Sequence, residues 1–94
     1  MTHISGVVIT FNEEKKIANC LKSMLPVCDE IIVLDSLSTD GTEDICKSLG
    51  VRFIQQPFLG YIEQKNHALS FATNNMVLSL DADECLSEAL QQSI

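Results

Sequence analysis

Ile4-Ser5-Gly6-Val7-Val8-Ile9-Thr10-Phe11-Asn12-Glu13 decides how this chain is read. The first seven residues are rich in β-branched side chains and predict a buried strand. A short polar loop without glycine follows, in which Asn12 offers a helix N-cap. Ile17, Leu21, Met24 and Leu25 then recur at helical spacing as one apolar face. Pro26 ends that helix, because proline has no N–H for the preceding turn. Glu30 to Asp35 is a second strand, whose four consecutive apolar residues point to burial on both faces. A strand, a helix and a strand in so short a span form a βαβ unit.

The same alternation continues outward. Asp40 and Glu43 have capping-box spacing, opening a helix through Ile45, Cys46 and Leu49 that Gly50 closes as C′. Val51 to Gln55 is a third strand and Pro57 to Gly60 a loop. Ile62 to Ala72 is a helix that buries Ala68, Leu69 and Ala72. Met76 to Leu80 is a fourth strand, and Ser87 can cap a last helix. Strand starts recur about every 25 residues with a helix in each gap, which predicts a parallel sheet. Right-handed crossovers put helices on both faces. The expected fold is therefore α/β: a Rossmann-like parallel sheet of order 3-2-1-4, one domain over residues 1–94.

Composition removes several functions. The net charge of −7 argues against a nucleic-acid surface, which needs a basic patch. No apolar run approaches the ~20 residues that span a bilayer. The start of the chain has neither a basic n-region nor an apolar h-region, so no secretory signal is expected. The four cysteines form no Cys-x-x-Cys pair, which disfavours structural zinc and favours buried free thiols in a cytoplasmic protein.

In an open α/β sheet, ligands bind beyond the carboxyl ends of the strands, where strand order reverses. For order 3-2-1-4 that point lies between the first and fourth strands. The first strand delivers Thr10, Phe11, Asn12 and Glu13 there, the second Asp35 and Ser36, the fourth Asp81, Asp83 and Glu84. Alternate residues leaving a strand point the same way, so Asp81 and Asp83 can share one hard cation, Mn²⁺ or Mg²⁺. Phe11 is either a core plug or a platform for a flat base. Asp35 is either a hydrogen-bond acceptor for base or ribose or a turn residue. Without a Gly-x-Gly-x-x-Gly loop or a P-loop, a diphosphate would rely on the cation and on a lysine, for which Lys65 is the candidate. His67 receives no role.

These residues resemble a known family. Val8-Ile9-Thr10-Phe11-Asn12-Glu13-Glu14 is similar to the opening strand and loop of family-2 glycosyltransferases of the GT-A fold. Val33 to Thr42 resembles their second-strand signature, and Leu80-Asp81-Ala82-Asp83-Glu84 their Asp-x-Asp metal motif. Gly60 to Leu69 resembles the branch that includes bacterial lipopolysaccharide-core β-1,4-glucosyltransferases. The resemblance covers essentially the whole chain. It implies inverting transfer of a sugar from a nucleotide diphosphate donor, usually a UDP-sugar, to a cell-surface glycan or lipopolysaccharide. It implies Phe11 stacking on the base and Thr10, Glu13 and Asp35 lining the nucleoside pocket. Asp81 would contact ribose or the metal shell, Asp83 the cation, and Lys65 the diphosphate or donor sugar. The general base and the acceptor site belong to a second half expected beyond Ile94. The chain then reads as a donor-binding half with little turnover of its own, whose fourth-strand edge invites self-association. A full-length protein would work at the inner face of the cytoplasmic membrane. The alternative is a nucleotide- and metal-binding module without catalysis.

Overall fold

A computed structural model describes residues 3–74 and 76–82. Asp83, Glu84, Cys85 and Ser87 lie outside the described residues, and so does the expected last helix. The described chain alternates β1 (Ile4–Thr10), α1 (Ile17–Met24), β2 (Glu30–Asp35), α2 (Thr42–Ser48), β3 (Arg52–Gln55), α3 (Tyr61–Leu69) and β4 (Met76–Asp81). The four strands make one sheet in the order β3-β2-β1-β4. Every pairing is parallel, with Val8 opposite Val33 on one side and Leu80 on the other. The expected order and direction are those observed.

Period-two alternation sorts β1 and β2 onto two faces. Val8, Ile31 and Val33 turn to α1 and α2, packing with Ile17, Cys20, Leu21, Met24 and Cys46. Val7 and Leu34 turn to the opposite face, where Ala68 of α3, Phe71 and Ala72 cover them. Helices thus lie on both faces. Ile17, Leu21 and Met24 are each fully buried, and burying such a side chain is worth about 1.5–3 kcal/mol. They, more than helix propensity, hold the short α1 in place.

Element ends depart from the sequence reading where side chains compete for the backbone. Asn12 does not cap α1: its φ is +51° and its Oδ1 accepts a hydrogen bond from Thr39 N at 2.8 Å. The turn that starts α1 forms instead on Glu13 O, which accepts from Lys16 N and Ile17 N. Leu25 falls past the helix and is exposed. Asp40 accepts from Thr42 N at 3.0 Å, one residue short of the position a capping box uses, and Glu43 turns outward to Lys47. Gly50 has φ +76° and closes α2 as expected. The third helix begins one residue early and ends three early; Leu69 is exposed and the fully buried side chains are Gln64 and Ala68. Cys20, Cys28 and Cys46 are free thiols. Burial, aided by the charge of Asp35, pushes Cys46 up to about 12, so it is unreactive at neutral pH.

At the amino edge of the sheet, Glu30 clamps three segments. Its carboxylate accepts from Ser5 Oγ on β1 and from the N–H and hydroxyl of Thr73, just before β4. The Ser5 bond first, then those from Thr73, hold its pKa below the ordinary 4.5. A depressed folded pKa contributes stability that is present above the unfolded value and is lost as pH falls through the folded one. Glu30→Ala should therefore cost about 1 kcal/mol at pH 7, the scale of a partly exposed hydrogen-bonded group. Urea titrations of both proteins across pH should show that gap narrowing only below pH 4.5.

Candidate functional site

The carboxyl edge of the sheet opens into a crevice of about 550 Å³. Its walls include Thr10, Phe11 and Glu13 from the end of β1, Ser36 from the end of β2, and Asp81 and Ala82 from the end of β4. Phe58, Tyr61 and Gln64 come from α3 and the loop before it. The crevice sits where the order reverses between β1 and β4, as the topology requires.

Two hydrogen bonds carry the strand ladder past the strand ends: Ser36 N to Thr10 O at 3.0 Å and Gln56 N to Asp35 O at 2.9 Å. Side chains then lace the loops together. Asp35 accepts from Ser38 N (2.7 Å), Ser38 Oγ and Gln55 Nε2 (3.1 Å). Ser38 Oγ in turn accepts from Asn12 N at 2.7 Å. Glu13 N donates to Thr42 Oγ1, Glu14 N to Asp40, and Gly41 N to Glu14 Oε2. The Thr42 hydroxyl, more than any other group, holds the Asp40 carboxyl below its usual range.

Of the residues singled out from sequence, Thr10, Phe11, Glu13 and Asp81 line the crevice. Phe11 is 55 % exposed and is no core plug. Thr10 is 6 % exposed, and its Oγ1 has no hydrogen-bond partner among the described residues. Lys65 reaches the same place from α3, its Nζ 3.7 Å from Asp81 Oδ1. Asp35 departs from the expected convergence. It is fully buried and is not among the lining residues, because its carboxylate faces the Ser38 turn and Gln55. Its neighbour Ser36 lines the crevice instead. Asp83 lies outside the described residues. His67 packs edge-on to Phe71 at 5.0 Å, on whose ring Arg52 also sits.

Sequence reasoning delivered Ser36 to this point without giving it a role, and it missed Phe58, Tyr61 and Gln64. Phe58 and Tyr61 meet edge to face at 5.2 Å, on either side of Gly60, whose φ of +109° bends the chain into α3. A side chain there would be strained and would meet Glu63 Oε2 at 2.6 Å. The exposed aromatics of Phe58-Leu59-Gly60-Tyr61 were the available signal.

Among the described residues no group of three or more His, Cys, Asp or Glu is placed to hold a metal ion. The donor set is nonetheless of hard-cation type: Asp81 contributes carboxylate oxygens and Glu13 lines the same space. No helix among the described residues is long and apolar enough to cross a membrane.

Comparison with known proteins places this geometry. The model of "Glycosyl transferase family 2" matches residues 5–92. A glycosyltransferase of Rickettsia typhi is 48 % identical over 94 residues, covering 100 % of this chain and 32 % of the relative. The lipopolysaccharide core biosynthesis glycosyltransferase LpsC of Rhizobium meliloti is 37 % identical over 94 residues, covering 95 % of this chain and 34 % of its own length. Among solved structures, glucosyl-3-phosphoglycerate synthase of Mycobacterium tuberculosis, in complex with Mn²⁺, UDP and glucosyl-3-phosphoglycerate, superposes with a TM-score of 0.75. It shares 31 % identity over 86 % of this chain and 33 % of that one. The chain thus spans about a third of the length of the relatives it matches.

The burial contrast between Asp35 and Phe11 is testable. Asp35→Asn puts an amide N–H₂ against donors and should destabilise the chain by about 2–4 kcal/mol. Phe11→Ala, at an exposed site, should stay within about 0.5 kcal/mol of the parent. Urea midpoints of the two variants check both.

Proposed function

The chain belongs to glycosyl transferase family 2, and from that premise we propose that it is the donor-binding part of an inverting, metal-dependent transferase using a UDP-sugar. The observation that carries this reading is the chemistry of the crevice. An exposed ring, a buried hydroxyl awaiting a partner, and a carboxylate–lysine pair meet at the switch point of a parallel sheet. That combination suits a ligand with a flat base at one end and a charged diphosphate at the other.

Phe11 stacks on the base, a contact worth about 1–3 kcal/mol in comparable sites. Thr10 and Glu13 line the nucleoside. Asp35 serves from beneath, fixing the loops rather than touching the ligand. Lys65, already beside Asp81, is within reach of the diphosphate. Asp81 and Asp83 would hold Mn²⁺ or Mg²⁺, which when bound would offset diphosphate charge and stabilise the departing nucleotide. Deprotonation of the acceptor hydroxyl falls to a carboxylate in the length of the relatives that this chain does not span. The similarity to LpsC favours a cell-surface glycan or lipopolysaccharide acceptor. β4, at the edge of the described sheet, is where further chain or a second copy would pair.

The electrostatics give the test. A diphosphate entering beside Glu13 and Asp81 is repelled, and the glycine-free β1 loop offers no backbone nest to offset this. UDP should therefore bind the purified protein only with Mn²⁺ or Mg²⁺. Asp83→Asn should weaken binding about 10-fold or more, and Phe11→Ala by a similar factor. Calorimetric titration with and without chelator measures both. Equal affinity in chelator and in Mn²⁺ would contradict the metal-bridged reading.

A further inference from the structure

Lys65 and Asp81 form an ion pair at the crevice, and the two partners differ in freedom. The backbone under each is held. Asp81 ends β4 in register with Ile9 of β1, and its carbonyl accepts from Cys20 Sγ at 3.7 Å. The next residue, Ala82, is buried in the cluster that α1 forms with the sheet. The first turn of α3 is pinned by Gln64, which is fully buried and bonded to Leu59 N, Gln56 and Ser36. What is left to move is the lysine stem, which is flexible, 47 % exposed and tipped with a compact charge. Its Nζ sits 3.7 Å from Asp81 Oδ1, beyond hydrogen-bond reach. Charge alone holds the two together, and a half-exposed pair of that kind opens readily.

The donor reading gives this carboxylate to a divalent cation and this ammonium to the diphosphate. The closed pair opposes both. An ammonium this close repels a cation arriving at Asp81, and while paired it is less available to phosphate. We propose that Lys65 is a built-in counter-cation for Asp81, exchanged when the site loads. In the empty protein its ammonium offsets the charge of Asp81 in a crevice that Glu13 also lines. A cation that takes Asp81 releases the lysine, and a diphosphate that takes the lysine releases Asp81. Each ligand therefore clears the way for the other, and by linkage the gain is mutual. Cation and nucleotide load together, and each binds more weakly alone. This inference rests on the donor-nucleotide reading above and adds to it an order imposed by one side chain.

The sign of one substitution separates exchange from plain contact with phosphate. Lys65→Met removes the charge and keeps an unbranched stem at a half-exposed position. Mn²⁺ binding without nucleotide is read from the paramagnetic resonance of free Mn²⁺ at neutral pH and low salt, and UDP binding in Mn²⁺ by calorimetry. Lys65→Met should bind Mn²⁺ about 3-fold more tightly than the parent. It should bind UDP in Mn²⁺ about 10-fold more weakly. Lys47→Met controls for net charge: it takes a lysine from the exposed pair with Glu43 on α2 and should leave Mn²⁺ affinity within about 1.5-fold. Mn²⁺ binding by Lys65→Met where the parent shows none is the same gain in stronger form. Unchanged or weaker Mn²⁺ binding by Lys65→Met, or an equal gain in Lys47→Met, overturns the exchange; the donor reading then stands if the parent binds UDP in Mn²⁺. A parent that binds UDP equally in chelator, or not at all, defeats both.

Discussion

Asp35 ends β2 with no solvent exposure, and a carboxylate taken fully out of water is costly unless donors surround it. Three donors do: the backbone and hydroxyl of Ser38, and the side chain of Gln55 on β3. The Ser38 hydroxyl hands the constraint on to Asn12 N, and Asn12 returns it to Thr39 N. One buried charge thus ties the exits of three adjacent strands. The loop that carries Phe11 and Glu13 is held against the loop that carries Ser36, without a glycine-rich turn. Asn12 and Leu37 both take positive φ in these loops, and such strain persists only where surrounding bonds over-determine the backbone.

Consecutive residues at the strand ends divide the work. Asp35 points into the protein and Ser36 into the crevice; Thr10 is buried in the wall and Phe11 stands exposed. This is the period of two that sorts Val7 from Val8 lower in the sheet, now separating the groups that hold the site from those free to meet a ligand. The rigid half is fixed before any ligand arrives, so less ordering is left to be done on binding.

The strands, their order and the reversal point were legible in the sequence because apolar runs and spacing are properties of long segments. Val7-Val8-Ile9 and Ile31-Ile32-Val33-Leu34 admit little else. The assignment of Asp35 to the ligand was not secure from sequence. Two polar residues leave β2, alternation says only that they diverge, and which of them turns inward depends on donors from Ser38 and Gln55. Asn12 misled for a related reason: its side chain can bond a neighbouring loop as well as its own helix. Gln64 was invisible because helical periodicity counts a glutamine as surface. It is buried by three polar partners rather than by an apolar stripe.

α3 shows why that periodicity fails where function begins. Tyr61, Gln64, Lys65 and Ala68 fall at i, i+3, i+4 and i+7, one face of the helix. In a helix that only covers a sheet, this face would be apolar throughout. Here it changes along its length. Ala68, toward the C-terminal end, packs on Val7 and Leu34 as a core residue should. The N-terminal turn overhangs the carboxyl edge of the sheet, because a helix returning between parallel strands must start at that edge. There the same face presents Tyr61 to the crevice, Gln64 to Ser36, and Lys65 to Asp81. Core requirements govern one end of the helix and ligand requirements the other. The topology decides which end is which: the β4–β1–β2 arrangement places the crevice beyond the strands' carboxyl ends, so only the first turn of α3 is released from packing and open to polar chemistry.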